Sequence, residues 1–106
     1  MTALLAAPPA SAFTLTKVAP RVFSPGEPGS TVNRVTFTFS NPGGGEVTIR
    51  IFDIKGSLVR RNLDSQGFNM YWNGKDQSGA LVKSGIYIYQ LETAEQVHTG
   101  TVVVAR

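Results

Sequence analysis

Between Phe13 and Val104 the chain alternates apolar and polar residues in short runs, the period-two sign of β-strands with one buried face. Phe13-Thr14-Leu15-Thr16-Lys17-Val18 predicts a first strand, at a sheet edge because Pro20 follows and has no amide hydrogen to give. Val35-Thr36-Phe37-Thr38-Phe39 puts Val35 and both phenylalanines on one side and the threonines on the other. Glu46 to Phe52 repeats the alternation after Asn41-Pro42-Gly43-Gly44-Gly45, so these two segments predict a hairpin closed by that glycine turn. Ser57 to Arg60, Phe68 to Trp72, Gly85 to Thr93 and Val97 to Ala105 follow as further strands. Asp53 to Gly56 is read as a turn, Asn62 to Gly67 as a polar stretch and Asn73 to Ser84 as a long connection. About seven short strands with frequent turn residues predict an all-β, two-sheet antiparallel sandwich of the immunoglobulin or fibronectin type III kind.

Two strands carry apolar residues on both faces. If Tyr87, Tyr89 and Leu91 face the interior, Ile86 and Ile88 face outward, and Val103 stands likewise between Val102 and Val104. Such strands are either covered or part of a contact surface. Ile86 and Ile88, with Phe13 and Leu15 of the first strand, are therefore the candidate interaction surface.

Composition narrows the function. The 106 residues fit one domain, read as residues 13–106, and 42% hydrophobic against 16% charged residues is enough to build a core. Residues 1–12 are small and apolar and end in Ala10-Ser11-Ala12, which reads as the remnant of an export signal or as a flexible linker. With no cysteine there is neither a disulfide nor a thiolate metal site. The net charge of +3 comes from ten basic residues spread along the chain with only Arg60 and Arg61 adjacent, which argues against a nucleic-acid surface. Nothing in the apolar runs is long enough to span a membrane.

Residues with catalytic potential are few. His98 is the single histidine and cannot form a histidine metal cluster within one chain. Asp76-Gln77-Ser78 is too poor in carboxylates for a calcium loop and reads as a turn cap. Gly43-Gly44-Gly45 leads into a strand and lacks the Lys-Ser/Thr pair of a phosphate loop. No catalytic residue, cofactor or metal ligand is expected. Tyr71, Trp72, Tyr87 and Tyr89 could serve as stacking platforms for a glycan, but their strand positions favour burial.

The most specific stretch runs from Trp72 to Tyr87, in which Trp72, Gly74, Asp76, Gly79, Gly85 and Tyr87 are spaced as W-x-G-x-D-x-x-G and G-x-Y. It resembles the immunoglobulin-like domain named after the flagellar hook-capping protein FlgD. Ile51-Phe52-Asp53-Ile54-Lys55-Gly56 is similar to a second segment of that family, with Asp53 and Gly56 at its fixed positions, and Phe23-Ser24-Pro25 to a third. Gly26-Glu27-Pro28-Gly29 departs from the family's Asn/Asp-rich loop, so the likeness does not extend there. The resemblance covers residues from about 20 onward. It implies a non-catalytic structural or docking module of a secreted or surface-assembled bacterial protein, with other proteins or neighbouring domains as partners. Two alternatives stand beside it. One is a self-assembling extracellular subunit that adds its N-terminal strand to a neighbour. The other is a C-terminal sorting domain of the type IX pathway, which the Gly85-x-Tyr87 strand and the final Arg106 also resemble.

Overall fold

A computed structural model of the chain describes residues 13–26, 32–66 and 69–106. The expected signal or linker at residues 1–12 lies outside the described residues, as does most of the Gly26–Gly29 loop. Among those described, nine strands form two sheets: β1 (Thr14–Ala19), β2 (Val22–Phe23), β3 (Val35–Ser40), β4 (Thr48–Phe52), β5 (Leu58–Arg60), β6 (Asp64–Gln66), β7 (Asn69–Trp72), β8 (Gly85–Glu92) and β9 (Val97–Val104). One sheet has the order β1-β3-β7-β6 and the other β2-β9-β8-β4-β5. This is the two-sheet sandwich of the immunoglobulin type, all-β as the alternation predicts.

Each strand's alternation explains which side it buries. Val35 and Phe37 of β3 and Met70 and Trp72 of β7 face Ile49 and Ile51 of β4, Tyr87, Tyr89 and Leu91 of β8, and Val102 and Val104 of β9. These residues, with Phe13, Val18, Phe23 and Leu63, form one core. No polar or charged residue among those described is fully buried, so the fold needs no internal polar network.

The expected hairpin between Val35–Phe39 and Glu46–Phe52 does not form. β3 pairs with β1 and β7, whereas β4 pairs with β5 and β8 in the opposite sheet. The glycine segment is a crossover between layers, tightened by a Gly44 N–H to Asn41 carbonyl bond of 3.0 Å. Alternation states that a strand buries one face but not which sheet holds it, and a connection of this length can bridge two sheets ~10 Å apart. Two strands escaped the sequence reading. β2 is two residues long and pairs in parallel with the end of β9, its Phe23 fully buried. β6 lies in the polar stretch and is a sheet edge, paired only with β7.

Candidate functional site

The Trp72-to-Tyr87 stretch is built around one indole. Trp72, the last residue of β7, is 0% exposed and meets Phe23 and Tyr87 edge-on at centroid distances of 5.5 and 5.3 Å. Its Nε1–H donates to the Lys75 carbonyl at 2.9 Å, so the ring holds the loop that leaves its own strand. Gly74 follows at φ +78°, buried beneath Pro25, where a Cβ would stand 2.7 Å from the proline ring. That position requires glycine for two reasons, backbone conformation and space.

Asp76 and Asp53 then hold two turns. Asp76 Oδ1 accepts the Ser78 and Ala80 amides at 2.9 and 3.0 Å and the Ser78 hydroxyl at 2.7 Å. The Ser78 hydroxyl, followed by the Ala80 amide, draws the Asp76 carboxyl below its ordinary value of 3.8. Asp53 Oδ1 likewise accepts the Lys55 and Ser57 amides, both at 2.9 Å. Gly79 and Gly56 close the respective turns. The Gln77 amide bonds the Val59 carbonyl at 3.0 Å and the Gln77 side chain accepts the Arg61 amide at 2.8 Å, which fastens one turn to the strand leaving the other. Between them lies an open groove of about 370 Å³ lined partly by Asp53, Val59, Asp76 and Tyr87.

Tyr87 completes the group. Its ring is buried and its hydroxyl donates to the Lys83 carbonyl at 2.8 Å. Burial, and next the Asp53 charge, raise its pKa above the ordinary value of 10. Gly85, at φ +156°, begins β8 opposite Val104. The signature residues thus come together at one end of the sandwich, with their polar atoms turned to backbone partners within the domain. Such groups shape loops.

The other candidates separate. Ile86 and Ile88 face outward on the five-stranded sheet, Ile86 at 48% exposure and Ile88 half-buried. Phe13 and Leu15, expected beside them on a contact surface, face inward instead. Phe13 is buried with its ring 5.4 Å from that of Phe39, and Leu15 packs against the core. A bulge between Leu15 and Lys17 shifts the register of β1, so the strict alternation read from Phe13 to Val18 does not hold. Of the aromatic residues weighed as glycan platforms, Trp72, Tyr87 and Tyr89 are buried, and Tyr71 lies beneath the Arg34 guanidinium at 4.5 Å.

His98 Nε2 lies 2.8 Å from Gln96 Oε1 with its ring 6.1 Å from Phe13, at the far end of the sandwich from both turns. Among the described residues no three His, Cys, Asp or Glu side chains are grouped as a metal site would need, and no helix is long and apolar enough to cross a membrane.

Sequence reasoning missed Gly100. It stands opposite Tyr89 in the middle of β9, and the phenol ring occupies the space of a Cβ there. A glycine inside a strand otherwise made of valine, threonine and one histidine is the signal that could have revealed the close approach.

Comparison with known proteins agrees with this geometry. Over 85% of its length the chain matches part of a solved structure of PorZ, described as an essential bacterial surface component of the type IX secretion system of the human oral bacterium Porphyromonas gingivalis. The TM-score is 0.60 and the identity 22%, and the chain spans only 11% of that protein. A second structural match is CopC from Methylosinus trichosporium OB3b, with a TM-score of 0.52, 17% identity, and 87% of this chain against 92% of that one. At these identities both matches speak for the fold alone. No curated protein matches the chain.

The family profile for the secretion system C-terminal sorting domain matches residues 28–105. Of the two families that the sequence resembles, the sorting domain is the one shown, and the hook-capping type is not. Sorting domains of this kind mark proteins that are exported and either released or held at the cell surface. The stretch from Trp72 to Tyr87 and the two aspartate turns lie within the matched residues, and the chain belongs to the family of secretion system C-terminal sorting domains.

Proposed function

We propose that this domain is a non-catalytic sorting and docking module through which the type IX machinery recognises an exported bacterial protein. Family membership gives the export context. The observation that carries the non-catalytic part is the fate of the signature's polar groups. Trp72 Nε1, Tyr87 Oη and the Oδ1 atoms of Asp53 and Asp76 each bond the domain's own backbone. The one hydroxyl in hydrogen-bond reach of a carboxylate here, Ser78 on Asp76 at 2.7 Å, shares Oδ1 with the Ser78 and Ala80 amides inside the turn, so the pair caps the turn and has no third group to orient it as a catalytic pair. Recognition then falls to the surface. The likeness of Trp72 to Tyr87 to the hook-capping type is read as shared scaffolding.

The test is export of a passenger. A reporter carrying its own inner-membrane export signal is fused ahead of the full 106-residue chain and expressed in a bacterium with an active type IX system. Delivery to the surface or medium, lost on deletion of the domain or of the type IX translocon, is expected. A reporter that stays in the periplasm with the folded domain attached refutes the reading.

Self-assembly through the N-terminal strand is the weaker alternative. Phe13 and Val18 are buried in the domain's own core, and β1 lies paired along β3. Releasing the strand to a neighbour would first have to expose both side chains.

A further inference from the structure

The outer face of the five-stranded sheet carries an apolar stripe that crosses every strand. Register sets Val22 of β2 beside Val103 of β9, and Val103 beside Ile86 of β8. One row along, Ile88 stands beside Phe52 of β4, and Phe52 beside Leu58 of β5. Val22, Ile86 and Leu58 are 57%, 48% and 49% exposed, and the three between them are half-buried. With strands ~4.8 Å apart, the stripe is roughly 20 Å wide. Single exposed aliphatic residues need no explanation, but a contiguous row does. Nor does the core require it, because the inward residues of the same strands already close the sandwich. Farther along the face the surface turns polar, with Arg50 and Glu92 paired at 2.7 Å.

The fold gathers cations at the apolar end. Arg21 precedes Val22 and donates to the Thr101 carbonyl at 3.1 Å. Lys55 lies in the turn joining Phe52 to Leu58, and Lys83 is exposed just before β8. Arg106 follows β9, its backbone amide on the Ser84 hydroxyl and its guanidinium on the Val82 carbonyl, both at 2.9 Å. Among the described acidic side chains, Asp53 and Asp76 lie at this end and hold their own turns through Oδ1, while Glu46, Glu92 and Glu95 lie toward the opposite end. Basic residues that are scattered in sequence thus frame one end of one face.

We infer that this face docks an acidic, amphipathic polypeptide segment of a partner protein, its apolar side chains along the Val22–Val103–Ile86 and Ile88–Phe52–Leu58 rows and its carboxylates toward Arg21, Lys55, Lys83 and Arg106. The inference rests on the sorting and docking reading and specifies its surface. Charge complementarity selects the occupant. A second copy docked by a two-fold axis would bring the same cationic rim either against itself or over the far side of the stripe, where Glu92 is already paired with Arg50 at 2.7 Å. The chain's own first twelve residues contain no acidic side chain, and Phe13 is anchored at the far end of the sandwich beside His98. A nucleic acid would call for exposed aromatic platforms, whereas the stripe is aliphatic except for the half-buried Phe52.

The experiment is an NMR titration of the full chain with three synthetic dodecapeptides, alternating Val-Glu, Val-Lys and Ser-Glu, and with vesicles of phosphatidylglycerol in phosphatidylcholine. Binding of the Val-Glu peptide, with shifts centred on Val22, Ile86, Ile88 and Val103, is expected. It should weaken about tenfold in Ile86→Ser and in the double variant Lys55→Glu, Lys83→Glu. All these positions are exposed, and an unchanged melting temperature confirms that the variants fold. The inference fails if no peptide binds, if Val-Lys or Ser-Glu binds as well as Val-Glu, if the variants bind undiminished, or if only the vesicles bind. Its failure is separable from that of the sorting reading. Export of the passenger without peptide binding sinks the docking face alone, and peptide binding without export sinks the sorting function alone.

Discussion

Gly100 lies directly across from Tyr89 between β9 and β8, so close that a Cβ at position 100 would stand 2.6 Å from the Cε2 and Cζ atoms of the tyrosine ring. The ring covers the bare backbone of its neighbour and meets Phe37 of the other sheet edge-on at 5.0 Å. One strand's missing side chain therefore gives room to an aromatic contact that ties the two layers together.

Gly100→Ala is expected to displace Tyr89 and to cost about 1–3 kcal/mol, the usual range for overpacking a filled site. Urea unfolding measures the loss. Pairing the change with Tyr89→Val removes the clash, so the double variant should lose less than the sum of the two single losses. Additive losses would mean that the ring does not fill the space above Gly100.

Gly74 and Gly79 separate two reasons for glycine. Both have positive φ, +78° and +91°, but only at Gly74 does a Cβ meet other atoms, at 2.7 Å from Pro25. Gly79→Ala should cost about 1–2 kcal/mol, the left-handed penalty alone. Gly74→Ala adds the collision and should lower the urea midpoint further. Equal losses at the two positions would show that Pro25 yields freely.

Asp76 gives the domain an acid sensitivity. Its carboxyl is held below 3.8 by the Ser78 hydroxyl and the Ala80 amide, so the folded state prefers the ionised form more than the unfolded chain does. That contribution is complete above 3.8 and disappears as pH falls through the depressed folded value. Asp76→Asn keeps an acceptor oxygen but removes the charge. The unfolding midpoint of the variant should therefore fall less steeply than that of the wild type as pH drops below the ordinary carboxyl value of 3.8, and Asp76→Ala should be less stable than Asp76→Asn at neutral pH.

Most of the fold was legible because one-sided burial writes itself into alternation. Val35 and Phe37, Tyr87 and Tyr89, Val102 and Val104 all point inward as their spacing requires. Sheet assignment was not legible. The alternating runs around the Gly43–Gly45 segment look like a hairpin whether they pair with each other or cross between layers, and only the β4–β8 and β3–β7 registers decide. β2 is too short to show a period, and β6 falls in a run of polar residues that carries no alternation. At the site, the W-x-G-x-D-x-x-G spacing located the scaffold, since each residue answers to a local backbone need. The outward rows were visible in part, at Ile86 and Ile88. Val22, Phe52 and Leu58 are brought beside them by strand pairings that link distant parts of the chain, and the cationic rim arises in the same way.

Trp72 and Tyr87 share a contact whose two halves respond to different perturbations. The indole is fully buried, so the emission of this single tryptophan should be blue-shifted and poorly quenched by iodide until the protein unfolds. Trp72→Phe retains an apolar ring but strips the Lys75 carbonyl of its 2.9 Å donor, and the reduced volume leaves space between Phe23 and Tyr87. A loss of about 2–4 kcal/mol is expected from cavity and bond together. Tyr87→Phe keeps the ring packing and removes only the hydroxyl bond to Lys83, for about 1 kcal/mol at neutral pH. The two variants part further in alkali. Because burial and the Asp53 charge raise the Tyr87 pKa above 10, the folded state holds its phenolic proton more tightly than the unfolded chain does. The stabilisation is complete below 10 and is lost as pH rises toward the elevated folded value. Trp72→Phe should keep that alkaline decline and Tyr87→Phe should lessen it, so a decline of full steepness in Tyr87→Phe would place the responsible proton on another group.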